Sequence, residues 1–253
     1  MRNRLQISLA IASLALAVLA CQAVAGSGNS NPPATDVVIE STSVPSNTDI
    51  LPAQTEAPAD SPNSDTLFED DFSGGRTKWG TGTDTDSSVE YVDEKLNMQV
   101  FTKNYIVWTT PNDKDYDKVH MEVTVTNNGT DPTTAFGFMC YQQYPIDENN
   151  YYFAVTPARE YVIAKAALAQ DDVFLTNNNE WAKSDLIAKD AASYRIGADC
   201  GNGTLTLYVD GQQVDSISDS TYTTGGIALF LWSGQESTLA NVSFDDFVMT
   251  KLP

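Results

Sequence analysis

In the stretch KVHMEVTVT, residues 118–126, apolar and polar side chains alternate without a break. Val119, Met121, Val123 and Val125 fall on one side; His120, Glu122, Thr124 and Thr126 fall on the other. Successive side chains of a strand point to opposite faces, so this pattern encodes a half-buried β-strand and not a helical stripe. The same parity groups Phe136, Phe138 and Cys140 in AFGFMCY, and Tyr194, Ile196, Ala198 and Cys200 in SYRIGADC. It also groups Leu205, Leu207 and Val209 in TLTLYV, and Ile227, Leu229 and Leu231 in GIALFLW. Asp210-Gly211, directly after TLTLYV, is a hairpin turn. Further strands are expected in LFEDDF, VEYV, KLNMQVF, YIVWTT, NYYFAVT, EYVIAKA, QQVDSIS and NVSFDDFVM. About a dozen short strands punctuated by Gly, Asn, Asp and Pro specify an all-β, two-sheet antiparallel sandwich. Only EWAKSDLIAKDAAS, residues 180–193, has helical character, and it reads equally as a long loop with one turn.

The strand-rich region begins at Asp65 and runs to Pro253, long enough for one domain that buries roughly 70% of its unfolded surface. Residues 22–64 are different: six prolines, many Ser, Thr, Asn and Ala, no aromatic residue and no Lys or Arg. Such a segment cannot bury enough apolar surface to offset its ordering entropy, and it is expected to be a disordered stalk. As a flexible chain it would reach ~35–40 Å. The chain opens with Arg2 and Arg4, followed by uncharged, mostly apolar residues from Leu5 to Ala20. A basic start and a short apolar run make a signal peptide over residues 1–20, since the run falls short of the roughly 20 apolar residues of a membrane span. Val18-Leu19-Ala20-Cys21 resembles the lipobox of bacterial lipoproteins, which implies acylation of Cys21 and anchoring to the outside of a bacterial membrane; an ordinary secretory signal is the alternative.

The formal net charge is −20. Arg2 and Arg4 and the five acids of residues 22–64 leave −17 on the domain. A surface so acidic repels phosphate backbones, so nucleic acid is not an expected partner. Of the three cysteines, Cys21 is assigned to lipid, and Cys140 and Cys200 remain, both in phase with core residues. In an oxidising compartment they are expected to form a disulfide; two buried free thiols are the alternative.

The motifs DDFS, IVWTTP, GFMCYQQ with NNYYFAV, YRIGADCGNGTLTLYVDGQQV and FDDFVM occur in an order that resembles concanavalin A-like, laminin G-like jelly rolls over residues 66–250. The resemblance is to domains of bacterial surface lipoproteins, distantly similar to keto-disaccharide hydrolase-like domains. It implies two curved antiparallel sheets, with glycan binding on the concave one. Fold does not fix function, so the residues must decide between binding and catalysis.

Glycoside hydrolysis needs two carboxylates at a set separation. Jelly-roll glucanases carry them in a pattern like E-x-D-x-x-E, and the nearest string here, Glu90 to Glu94 in EYVDE, breaks it. A single histidine, His120, excludes a cluster of histidine ligands. No catalytic residue is therefore expected. By parity Met139 and Tyr141 point away from the core that Phe138 and Cys140 fill, and Trp108, Tyr152 and Trp232 oppose Val107, Phe153 and Leu231. Trp108, Tyr141, Tyr152 and Trp232 are thus candidates for a sugar-stacking platform, the alternative being that they pack at the rim or under loops. Asp70 and Asp71 begin the domain and Asp245 and Asp246 end it. If the terminal strands are neighbours these carboxylates could share a structural calcium ion, which takes six to eight oxygens; solvated carboxylates are the alternative, and no other cofactor is expected. The expectation is a membrane-anchored module that binds carbohydrate. A hydrolase of the keto-disaccharide type and a structural or adhesion protein of the envelope are the competing readings.

Overall fold

The computed structural model describes residues 65–74, 78–144, 148–237 and 239–253. The expected signal peptide, Cys21 and the expected stalk lie outside the described residues. Sixteen strands follow in order among the described residues: β1 (Thr66–Asp70), β2 (Gly82–Thr83), β3 (Ser87–Val92), β4 (Lys95–Val100), β5 (Ile106–Thr109), β6 (Val119–Asn127), β7 (Ala135–Gln142) and β8 (Asn150–Val155). The chain continues with β9 (Glu160–Ala166), β10 (Val173–Phe174), β11 (Ala182–Lys183), β12 (Ser193–Gly201), β13 (Thr204–Val209), β14 (Gln212–Ser218), β15 (Gly226–Trp232) and β16 (Ala240–Lys251). All pairings are antiparallel. One sheet, here sheet A, runs β14-β13-β12-β6-β16-β4-β3-β2, with β1 beside β16; sheet B runs β10-β9-β8-β7-β15-β5, with β11 beside β9. No helix is present among the described residues. This is the two-sheet antiparallel sandwich that the alternating pattern specified, in the jelly-roll form that the resemblance implied.

The core lies between the sheets and is made of the residues in phase. Val119, Met121, Val123 and Val125 of β6 face Phe136, Phe138 and Cys140 of β7 and Leu229 and Leu231 of β15, all at most 1% exposed. Cys140 on sheet B and Cys200 on sheet A form a disulfide that crosses this core. Hairpin turns Asn202-Gly203 and Asp210-Gly211 both have positive φ at their two central residues, the twist that matches tight antiparallel connections. Asp93-Glu94 makes the same kind of turn without a glycine, between β3 and β4. Gly137 has a different reason: a Cβ there would lie 1.8 Å from the carbonyl oxygen of Phe153 on β8, so no other residue fits.

The stretch with helical character resolves as β11 and turns. Ala182 and Lys183 pair with Tyr161 and Glu160 of β9, and the remainder closes on Ile187, which is fully buried. Here tertiary pairing overrides local propensity. At the domain's beginning, Phe68, Trp79 and Phe247 contact one another edge to face, and β1 pairs with β16 from Thr66↔Thr250 to Asp70↔Phe247. The beginning and end of the strand-rich region meet where the Lys251 amide donates to the Asp65 carbonyl.

Candidate ligand-binding face

The two outer faces differ in kind. On sheet A the outward side chains of β6, β12 and β13 form an ionic network. His120 Nδ1 lies 2.6 Å from Asp199 Oδ1, and the Tyr208 hydroxyl donates to Asp199 Oδ2 at 2.8 Å. Arg195 donates to Glu122 at 3.1 Å, and Glu122 also lies 3.5 Å from His120 Nε2. The hydrogen bond to Asp199 raises the imidazole above its ordinary value, against the opposing cost of burial. Further along, the Asn97 amide donates to Asn241 and Ser243, and Asn128 donates to the same pair. These groups are committed to one another.

The outer face of sheet B is apolar. Register places Phe174, Ala164, Tyr152, Met139 and Ala228 in one row across β10, β9, β8, β7 and β15. Val162, Ala154, Gly137, Phe230 and Trp108 make the next row, and Ala135, Trp232 and Ile106 the third. Small residues thus form a floor and aromatic residues stand around it. The floor is covered: Ala135, Ala154, Val162, Ala164 and Ala228 are at most 1% exposed although they lie outside the main core. The cover comes from the segment between β9 and β12, whose Trp181 stacks on Trp232 with ring centroids 6.4 Å apart and planes 19° apart. Phe174 meets Trp181 edge to face, and Tyr152 meets Phe230 likewise. Three successive asparagines, Asn177 to Asn179, have positive φ in the turn that carries Trp181. Asparagine tolerates this backbone better than other residues with a Cβ.

Trp108, Tyr152, Trp181 and Trp232 remain half-buried, with part of each ring open to solvent. Two polar groups frame them. Tyr152 donates to Asp172 Oδ2 at 2.9 Å, and Trp232 Nε1 donates to Asn104 Oδ1 at 3.3 Å. Burial pushes the Tyr152 phenol well up, with the Asp172 charge adding to it, and desolvation also raises the Asp172 carboxyl. Partly open aromatic rings with hydrogen-bonding groups at their margin can stack ring-shaped polar molecules by their apolar faces.

Of the four platform candidates, Trp108, Tyr152 and Trp232 lie together on this face. Tyr141 does not. It is 4% exposed and packed in the main core against Tyr151. The cause is a bulge: Ile227 pairs with Cys140 and Gly226 with Gln142, so Tyr141 is the extra residue, with φ of 56°. A bulge shifts the alternation by one, and Cys140 and Tyr141 both turn inward. Phe174, in the two-residue β10, and Trp181, just before the two-residue β11, escaped sequence reading because strands so short carry no readable period. A tryptophan inside a polar run was the only available signal.

The terminal acids are neighbours, as β1 pairs with β16, but they do not form one ligand set. Asp70, Asp71 and Asp246 line a hollow of about 480 Å³ together with Lys78, whose ammonium is 3.2 Å from Asp70 Oδ1. Asp245 turns away to Lys95 at 3.1 Å. Lysine thus supplies the positive charge at both acid pairs. Among the described residues no three His, Cys, Asp or Glu side chains are grouped to hold a metal ion.

No family model matches the chain, and no curated protein matches it. Solved structures do. The carbohydrate binding module CBM66 from Bacillus subtilis superposes with a TM-score of 0.54 at 15% identity, over 70% of this chain and 98% of that one. A protein of unknown function with a galectin-like fold from Bacillus subtilis gives 0.54 at 11% identity, over 74% and 96%. The GH43 protein BlXynB from Bacillus licheniformis gives 0.53 at 12% identity, over 73% of this chain and 39% of that one. At these identities the likeness is one of fold.

Proposed function

We propose that this chain is a glycan-binding module that works outside a bacterial membrane, held there by lipid on Cys21 and standing off on residues 22–64, and that it binds without cutting. The observation that carries the reading is the outer face of sheet B, where Trp108, Tyr152, Trp181 and Trp232 present half-open rings around a floor of small residues. Sugars stack their apolar faces on such rings, and Asn104 and Asp172 stand where ring hydroxyls would emerge. Two of the similar structures carry carbohydrate chemistry in their names, one as a binding module and one as a GH43 protein, which favours a carbohydrate ligand over an unrelated one. Binding is preferred to hydrolysis because two acids of this face, Asp172 and Glu160, are each taken up by another protein group. Asp172 accepts from Tyr152, and Glu160 pairs with Lys183 at 3.3 Å. A glycosidase needs two carboxylates facing each other across one bond.

Stacking on a few rings gives millimolar to micromolar affinity, about 4–8 kcal/mol. The full chain run through native gels containing a soluble polysaccharide should be retarded, and Trp232→Ala should lose most of the retardation. Reducing sugar should not accumulate. Sugar release that disappears on neutralising Asp172 would establish a hydrolase instead.

A further inference from the structure

Where sheet B ends beyond the aromatic rows, β7 gives out at Gln142 and β15 begins at Gly226, and a hollow of about 420 Å³ opens. Asp113 and Asp115 line it from the loop that leads from β5 to β6, Gln142 and Gln143 from β7 and its continuation, and Tyr144 and Thr224 from the rim. Tyr144 is 86% exposed. The described lining thus holds two carboxylates, two amides, a hydroxyl and an open aromatic ring, with no basic side chain.

Gln142 is the telling residue. It is 6% exposed, and its side chain's hydrogen bond among the described residues is a long one, 3.9 Å from Nε2 to the sulfur of Met139. Sulfur is a poor acceptor and the amide has two donors and an acceptor to place, so this bond leaves hydrogen-bonding capacity on the Gln142 side chain that lines the hollow. The bulge at Tyr141 is what turns Gln142 this way, since without the extra residue the alternation would send it to the core side. The same bulge holds the opposite wall. The Tyr141 hydroxyl, turned inward, donates to the Asp117 carbonyl, and Tyr116 exchanges two backbone hydrogen bonds with Gly225, at 2.9 and 3.1 Å. Gly225 is required there, as a Cβ would lie 2.5 Å from the carbonyl carbon of Tyr141. Asn112 accepts from the Lys114 amide and the Tyr116 hydroxyl, which shapes the turn bearing Asp113 and Asp115. The hollow is therefore framed by fixed backbone. It adjoins the aromatic face through Met139, which lies beside Tyr152 in the first row and touches Gln142.

We propose that this hollow is a hydroxyl-reading subsite for a neutral glycan, taking the polar edge of a sugar whose neighbours lie on the aromatic face. The Gln142 amide both donates and accepts, and the carboxylates of Asp113 and Asp115 accept from vicinal hydroxyls. Two carboxylates without a cation turn away uronic acids, sulfated sugars and sialic acids, so charge as well as shape selects the ligand. This subsite rests on the reading of sheet B's outer face as a glycan platform, and the test separates the two.

Native affinity electrophoresis of the full chain would use galactomannan, xylan and mixed-linkage β-glucan as neutral probes and polygalacturonate as the anionic one. Retention by a neutral polymer should fall about tenfold in Gln142→Leu, which keeps the side chain's bulk, and by a similar factor in Asp113→Asn with Asp115→Asn. Both aspartates are exposed, so the second variant folds as the parent does. Retention lost in Trp232→Ala but unchanged in both subsite variants overturns the subsite and leaves the platform. Retention by polygalacturonate in preference to the neutral polymers overturns the choice of ligand. Retention by none of the three neutral polymers overturns subsite and platform together.

Discussion

Breaking the Cys140–Cys200 bond should cost this domain a large share of its stability without changing its fold. The two residues are 60 positions apart and join the sheets across the core. The loop they close contains β8, β9, β10, β11 and most of β12, including the segment that delivers Trp181 to the outer face. On the chain-entropy model a closed loop of this length is worth about 4 kcal/mol. Both sulfurs sit among apolar neighbours and both residues are 0% exposed, so the reduced thiols stay buried as small hydrophobes and add little further cost. For a domain of this size the loss corresponds to a fall in Tm of about 8–16 °C. Urea unfolding followed by tryptophan fluorescence, with and without reductant, compares the two states with the loss of no heavy atom. Cys140→Ala with Cys200→Ala should match the reduced protein to within the cost of two small cavities, about 1–2 kcal/mol. Coincident oxidised and reduced curves would refute the reasoning, as they would mean that the unfolded chain gains nothing from the release.

Two other outcomes are expected. Fatty-acid labelling in a bacterial host should mark the wild-type chain and not Cys21→Ala; label that survives the substitution removes the lipid anchor from the proposed function. His120 carries a folded-state value above its ordinary one, so its stabilising effect is complete below about pH 6.5 and fades as pH rises through the raised value. His120→Gln should therefore lower the unfolding free energy measured in urea at pH 5.5 by about 1 kcal/mol, for a ring that keeps some contact with solvent, and leave it nearly unchanged at pH 9. An equal loss at both pH values would show that packing against Tyr208, and not charge, accounts for it.

The strands of this fold were legible because a sheet imposes a period of two: β6 alternates almost throughout, and the core residues of β12, β13 and β15 recur at every second position even where the intervening ones are also buried. Parity also sorted Trp108, Tyr152 and Trp232 to the face opposite the core. It failed at Tyr141 because a bulge is a backbone event set by a partner strand, and nothing local in AFGFMCYQ announces it. Strand order was not legible either. That Trp181 would reach Trp232 depends on β11 pairing with β9, a contact of two residues with no pattern of its own. The acids at the two ends read as a possible calcium site because charge alone is visible in sequence, whereas their lysine partners, Lys78 and Lys95, are distant from some of them along the chain. Gln142 was hidden by the same bulge that displaced Tyr141.

The pairing of β1 with β16 sets how the domain meets mechanical load. A pull arriving along the chain from residue 64 enters at Asp65 and falls first on the hydrogen bond to Lys251. From there it is opposed, pair by pair, over the short register from Thr66↔Thr250 to Asp70↔Phe247. Behind that register stands the cluster of Phe68, Trp79 and Phe247, and the ion pair between Asp70 and Lys78 locks its far end. Strain that peels this strand away leaves the remaining strands of sheet A and all of sheet B in place, with the covalent link between them intact. The first strand is therefore a yielding element. It can part from β16 without disturbing the outer face of sheet B, whose strands pair with one another and not with β1.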